Sequence, residues 1–168
     1  RKSMAYDVVI VGAGPAGLAA SIRLKQLAAE AGRDIGVCIL EKGSEVGAHI
    51  LSGAVLETRA LDELLPDWKT RGAPVETPVR EDRIYYLTER FQLRFPVTPP
   101  PLRNHGNYLI SVNRFVRWLS EQAEREGIDI FTGFAGTEVL YEGDSVVGVR
   151  TGDRGIDKQG ERKATFEP

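Results

Sequence analysis

The hydrophobic positions of this chain change period several times, and each change predicts an element. Asp7–Val11 (DVVIV) is a short β-branched run that stops abruptly at Gly12, the pattern of a buried parallel strand. Pro15 suits the first turn of a helix, and Leu18, Ile22, Leu27 and Ala31 supply one apolar face before Gly32 stops it. A second buried strand, Ile35–Leu40 (IGVCIL), follows and ends on Glu41. Strand, helix and strand in so few residues predict a right-handed βαβ unit.

The next segment, from Gly43 to Gly53, is rich in small residues and predicts a loop. Leu56, Ala60, Leu61, Leu64 and Leu65 predict a helix that Pro66 ends, and PDWKTRGAPVETP reads as a connector. Ile84–Thr88 and Phe91–Phe95 predict a hairpin in which Phe91, Leu93 and Phe95 alternate with Gln92 and Arg94. Asn113 is a suitable N-cap for a helix to Glu126, with Phe115, Val116, Leu119 and Ala123 facing inward and Gly127 ending it. Ile128–Thr132 predicts a third buried parallel strand, and the remainder, with a tight turn at Gly143 and Asp144, an antiparallel β-meander. The expected class is α/β, a Rossmann-like domain with hairpin and meander insertions whose sheet looks unfinished at its C-terminal end. The predicted divisions are 1–83 for the βαβ unit and connector, 84–112 for hairpin and proline loop, and 113–168 for the return to the first domain.

Composition narrows the chemistry. A formal charge of −2 over 168 residues gives no bulk reason to expect nucleic acid as a partner. The single Cys38 forms no intrachain disulfide and builds no iron–sulfur or Cys-rich zinc site from this stretch, and sits mid-strand as a core residue. The two histidines, His49 and His105, have no cysteine near them, so no metal site is expected and both read as structural. No Ser/His/Asp or Cys/His arrangement presents itself. The longest uncharged run, Val8–Ile22, falls short of the roughly 18 apolar residues of a spanning helix. The opening RKSMAYD has no apolar signal region and reads as a processed end.

Gly12, Gly14 and Gly17 form G-x-G-x-x-G directly after a strand and at the mouth of a helix. Gly12 permits the turn, Gly14 lets the backbone approach a pyrophosphate, and Gly17 lets helix and strand pack closely. The phosphates then face the positive end of the helix dipole. Glu41, closing the second strand, can accept hydrogen bonds from both ribose hydroxyls and disfavours NADP. FAD and NAD share this fingerprint; the small-residue loop after Glu41, which lets backbone run flat along an extended cofactor, favours FAD.

Beyond the fingerprint, VIVGAGPAGLAASIRLKQLA, EKGSEVGAHILSGAVLE, LLPDWKTRGAPV, RFPVTPPPLRNHGNYLIS, LSEQAE and TGDRGIDKQGERKATFE together resemble the N-terminal part of the electron-transfer flavoprotein:ubiquinone oxidoreductase family. The resemblance implies a glutathione-reductase-like flavoprotein fold and a peripheral membrane enzyme that passes electrons from reduced electron-transfer flavoprotein through FAD and a [4Fe–4S] cluster to ubiquinone. The cluster would be held outside this chain, and this chain alone is expected to be inactive. The implied FAD contacts are Gly12, Gly14, Pro15, Ala16 and Gly17 at the pyrophosphate and Glu41 at the adenosine ribose, with Lys42 beside it. Gly47, Ser52 and Gly53 are expected near the flavin, and Ala135, within Phe134–Gly136, near the adenine. Related flavoproteins often carry an arginine before the helix at Asn113; Ser111 and Arg114 stand there instead. The implied location is the matrix side of the mitochondrial inner membrane or the cytoplasmic side of a bacterial plasma membrane. An FAD monooxygenase or prenyl-lipid reductase of the same fold, or a non-catalytic nucleotide- or lipid-binding module, remain open alternatives.

The stretch RFQLRFPVTPPPLRN has two readings. Phe91, Leu93 and Phe95 can pack as core beside a rigid proline loop. Alternatively Phe91, Leu93, Phe95, Val97 and Leu102, fringed by Arg80, Arg83, Arg90, Arg94 and Arg103, dip into lipid while the cations meet anionic headgroups.

Overall fold

A computed structural model describes residues 3–156 and 161–167; residues 157–160 of the last motif, Arg1 and Lys2 of the opening stretch and Pro168 lie outside the described residues. The chain divides into two compact units, one formed by the residues up to Leu51 with those from Val116 on, the other by Ser52–Phe115.

The first unit begins with β1 (Val8–Val11), α1 (Pro15–Glu30) and β2 (Val37–Glu41), the predicted βαβ succession. Leu18 and Ile22 are fully buried, but Leu27 is exposed and Ala31 lies beyond the helix, so the buried face is shorter than its apolar pattern. The helix ends in a Schellman turn at Gly32: the Arg33 N–H reaches the Ala28 carbonyl at 2.8 Å and the Gly32 N–H that of Ala29 at 3.0 Å. β2 starts at Val37 rather than Ile35.

The second unit opens with β3 (Gly53–Leu56), where a loop running into a helix was expected. Gly53 must be glycine there, because a Cβ would stand 2.7 Å from the Ile110 carbonyl oxygen of the strand it pairs with. The helix α2 is correspondingly short, Arg59–Leu64, with Leu61 and Leu65 buried. The connector is not featureless: Trp68 is buried and donates its indole N–H to Asp62 Oδ1 at 2.7 Å, and Val75 is buried beyond it. β4 (Thr77–Pro78) leads to the predicted hairpin of β5 (Tyr85–Leu87) and β6 (Gln92–Arg94), which is antiparallel with Tyr86 opposite Leu93. A short 3₁₀ turn at Pro100–Leu102 precedes β7 (Tyr108–Ser111), the centre of a three-stranded sheet ordered β3-β7-β4.

The helix α3 runs from Val112 to Arg125, so Asn113 lies inside it and the capping oxygen is Ser111 Oγ, 3.4 Å from the Arg114 N–H. Phe115, Val116, Leu119 and Ala123 are buried as expected, and so are Trp118 and Gln122, whose Nε2 donates to the Trp118 carbonyl. A second Schellman turn ends this helix at Gly127. β8 (Asp129–Thr132) then pairs parallel to β2, giving the order β1-β2-β8. Within this sheet β2 is buried from Val37 to Leu40. β1 and β8 are edges of this sheet among the described residues, and so are half-exposed where their apolar runs predict burial. The last part forms two separate antiparallel hairpins in place of one meander, β9 (Gly136–Glu142) with β10 (Ser145–Thr151) and β11 (Arg154–Ile156) with β12 (Arg162–Glu167). The tight turn at Gly143–Asp144 joins the first two.

Candidate functional site: a glycine turn facing a strand-end carboxylate

At the carboxyl ends of β1 and β2 the chain makes the turn that positions everything else. Gly12 takes φ +108, a backbone L-residues rarely adopt, and its N–H bonds the Leu40 carbonyl at 2.8 Å. Gly17 is glycine for a different reason: a Cβ there would lie 2.2 Å from the Gly12 carbonyl oxygen and 3.2 Å from Ile10 Cγ2. Gly14 is required by neither cause. Its φ of −80 is open to any residue, and a Cβ would meet nothing within 4 Å. The space before Gly14 is thus a cradle that a side chain would fill, at the mouth of α1.

The helix end itself is unclaimed. No side chain caps it, no acid stands in its first turn, and Pro15 occupies its first position. The N–H groups of Ala16 and Gly17 have no carbonyl a turn earlier to bond, so the positive end of the helix dipole is directed into the cradle.

Glu41 closes the opposite wall. Its Oε2 accepts from the Ala13 N–H at 3.0 Å and its Oε1 from the Gly43 N–H at 2.7 Å. Each oxygen uses one lone pair on these backbone donors and keeps another for a hydroxyl. The Glu41 carbonyl accepts from the Phe134 N–H at 2.9 Å and the Gly43 carbonyl from the Gly133 N–H at 2.7 Å, which folds the end of β8 across the site. A hollow of about 160 Å³ results, lined by Val11, Gly12, Leu40, Glu41, Lys42, Ala135 and Gly136. It is smaller than the roughly 300–1,000 Å³ of a whole ligand pocket and suits one end of an extended ligand. A larger groove of about 410 Å³, between Asp7, Leu24, Leu27 and Ile35, lies at the amino ends of the strands. Ligands of open α/β sheets bind at the other end.

The structure therefore brings Gly12, Gly14, Pro15, Ala16, Gly17, Glu41, Lys42 and Ala135 to one end of one sheet. Gly47 lies buried in the loop after Glu41 in the same unit, whereas Ser52 and Gly53 open the second unit. The residues fit a dinucleotide on three counts: the open cradle at Gly14, the uncapped helix end, and a carboxylate with spare acceptor capacity 28 residues on from Ala13. His49 is exposed, and Cys38 is a buried thiol whose pKa desolvation raises, as a core cysteine's is. Arg114 pairs with Glu76 at 3.6 Å.

In the second unit the five apolar residues of the hairpin and loop are all exposed: Phe91 by 62%, Leu93 by 58%, Phe95 by 49%, Val97 by 65% and Leu102 by 53%. Within the described residues none of the five packs as core. Sequence reading missed what lies beneath it. Asp82 accepts from the Asn104 N–H at 2.8 Å and from Asn104 Nδ2 at 3.0 Å, and Glu81 pairs with both Arg83 and Arg94. Among the described residues no helix is long and apolar enough to cross a membrane.

Comparison with known proteins defines the class first. The model of the NAD(P)-binding Rossmann-like domain matches residues 10–70. A geranylgeranyl bacteriochlorophyll reductase-like protein of Thermoplasma acidophilum superposes with TM-score 0.62 at 21% identity over 87% of this chain and 34% of that one. A myxobacterial FAD-dependent halogenase does so with TM-score 0.57 at 24% identity over 87% and 32%. The fold is that of the Rossmann-like FAD-binding flavoproteins.

Within that class the chain is 54% identical to the mitochondrial electron transfer flavoprotein-ubiquinone oxidoreductase of Dictyostelium discoideum over 99% of its own length and 27% of that protein. It is 56% identical to the mouse enzyme of the same name over 96% and 26%. The chain is thus a relative of the electron transfer flavoprotein-ubiquinone oxidoreductases and spans about a quarter of their length.

Proposed function

We propose that this chain is the dinucleotide-holding part of a membrane-surface flavoenzyme that carries electrons from reduced electron-transfer flavoprotein to ubiquinone. The observation that carries the reading is Gly14, whose missing side chain neither backbone nor packing explains, facing a strand-end carboxylate already oriented by two backbone N–H groups. The 54% identity to a named oxidoreductase supports its extension to the whole reaction.

In this reading the backbone from Gly12 to Gly17, with Pro15 and Ala16, cradles the pyrophosphate of FAD. Glu41 accepts the ribose hydroxyls, and Lys42 and Ala135 flank the adenosine. Gly47, Ser52 and Gly53 serve the isoalloxazine end. When bound, FAD supplies the redox chemistry, and no side-chain nucleophile is required of the protein. Glu41 excludes a 2′-phosphate by charge and holds the adenosine in register, while the helix end offsets the pyrophosphate charge. A [4Fe–4S] cluster is proposed for the full-length protein; with one cysteine, this chain supplies no cluster ligand set.

The exposed Phe91, Leu93, Phe95, Val97 and Leu102 are proposed as the membrane contact. An aromatic apolar surface fringed by arginines suits the boundary between headgroups and acyl chains. The proposed location is the matrix side of the mitochondrial inner membrane or the cytoplasmic side of a bacterial plasma membrane; the relatives' names, which say mitochondrial, support the mitochondrion. The test is flavin absorbance of the full-length protein. Reduced electron-transfer flavoprotein should bleach it and ubiquinone restore it, whereas direct bleaching by NADH or NADPH would move the protein to the monooxygenases or prenyl-lipid reductases of the same fold.

A further inference from the structure

The hairpin and proline loop pose a mechanical problem. None of residues 76–109 is buried, so this excursion has no core of its own. A two-stranded hairpin is marginal when nothing packs on it. Its apolar residues would in water favour collapse over standing outward, yet they are spread over its surface. Something other than packing fixes the segment.

Backbone bonds tie its base, with the Val79 N–H donating to the Asn107 carbonyl at 2.8 Å and β4 pairing with β7, and polar side chains at the neck add to them. Asp82, half-buried, accepts twice from Asn104, from the backbone N–H at 2.8 Å and from Nδ2 at 3.0 Å, across 22 residues of chain. Its own carbonyl accepts from Thr98 Oγ1 at 3.3 Å, and Arg103 Nε donates to the Thr98 carbonyl at 3.0 Å. Glu81 reaches the returning strand, with Oε1 2.9 Å from Arg94 Nη2 and Oε2 2.5 Å from Arg83 Nη2. Two adjacent acids therefore hold both the middle and the far end of the excursion. The Asn104 donors keep the Asp82 carboxyl below its ordinary range, as a carboxylate acting through its charged form requires. Residues 80–104 carry five arginines against three acids, and Glu81 sets two of those arginines at the base.

We infer that Glu81 and Asp82 form a clasp that sets the direction in which the apolar excursion is presented, and so are positioning residues for the membrane contact. The inference rests on the membrane reading of Phe91 and its neighbours given above. The clasp confers direction without burying apolar surface, which stays available to lipid. It also predicts that affinity for a bilayer can be lost at a position that touches no lipid.

The experiment uses the full-length protein and vesicles of phosphatidylcholine with a minor fraction of phosphatidylglycerol. Asp82→Asn puts an N–H₂ where Asn104 needs an acceptor; it should weaken vesicle co-sedimentation roughly five- to tenfold and speed tryptic cleavage at Arg90 and Arg94 by a similar factor. The exchange D82N/N104D restores one donor–acceptor pair and should recover part of both losses. The flavin absorbance and the thermal midpoint should hold in both variants, which an ordinary folding defect would not allow. Phe91→Ser with Phe95→Ser distinguishes the two ideas. If that double variant binds vesicles as the parent does, the membrane reading fails; if it loses binding while Asp82→Asn and Asp82→Ala keep it, the membrane reading stands and the clasp is refuted.

Discussion

The glycine turn and the apolar excursion solve opposite problems with different means. The turn is built on β2, buried from Val37 to Leu40, and on α1, anchored by Leu18 and Ile22. Its backbone N–H groups and Glu41 are held by hydrogen bonds of 2.7–3.0 Å to neighbouring strand ends. The excursion has no buried residue and is tied by backbone bonds at its base and by side chains at its neck. A site proposed to hold a ligand to a fraction of an ångström is placed on a packed frame, whereas the exposed apolar groups stand on a segment tied by backbone bonds and polar side chains. The comparison teaches that core burial and apolar exposure are divided between regions of the chain.

The largest effect that would sharpen this contrast is expected at Gly17. Gly17→Ala sets a Cβ 2.2 Å from backbone, which no side-chain rearrangement can relieve. It should cost about 3 kcal/mol or more and remove most folded protein, measured by thermal unfolding. Glu41→Gln comes next. The new amide satisfies one of the Ala13 and Gly43 N–H groups and opposes the other, costing about 1–3 kcal/mol in stability and weakening FAD binding together with it. The double change Phe91→Ser and Phe95→Ser should leave unfolding within about 0.5 kcal/mol, since both residues are exposed in the described structure. A large loss of stability there would return the segment to a core role.

The smallest effects are in pH, one at the neck of the excursion in acid and one at the amino ends of the parallel strands in alkali. The Asp82 carboxyl is held low by its Asn104 donors, so its contribution is present above the ordinary carboxylate range and is lost as pH falls through the depressed value. Tyr6 donates its hydroxyl to Asp129 Oδ2 at 2.8 Å, and this bond pushes its pKa from 10.0 up to about 12. That tie is present below pH 10.0 and fades as pH rises through about 12. The Asn104 amide resonance should therefore move in acid and the Tyr6 phenolate absorbance appear late in alkali. A Tyr6 titration at the ordinary tyrosine value would remove the second tie.

What was legible in the sequence was what local pattern encodes. The βαβ unit, the turn at Gly12 and the close approach at Gly17, the hairpin and the inward face of α3 all follow from spacing within a few residues. What was not legible depends on partners far away in sequence. Gly53–Leu56 is a strand because it pairs with Tyr108–Ser111, and nothing local distinguishes GAVL from a loop entering a helix. The connector is ordered because Trp68 finds Asp62 and a buried position. The Asp82–Asn104 tie spans 22 residues of mixed polar sequence. β1 reads as buried from its composition and is half-exposed because it is an edge of the described sheet.

The central claim is that the space before Gly14 belongs to a dinucleotide. Gly14 has a φ any residue can take and empty space where its Cβ would be, so Gly14→Val should alter stability by no more than about 1 kcal/mol. Titration of FAD into the deflavinated full-length protein and its Gly14→Val variant is the direct measurement. The account predicts at least about a hundredfold loss of affinity, near 2.7 kcal/mol, with the unfolding midpoint almost unmoved. Equal FAD affinity in the two proteins would contradict it.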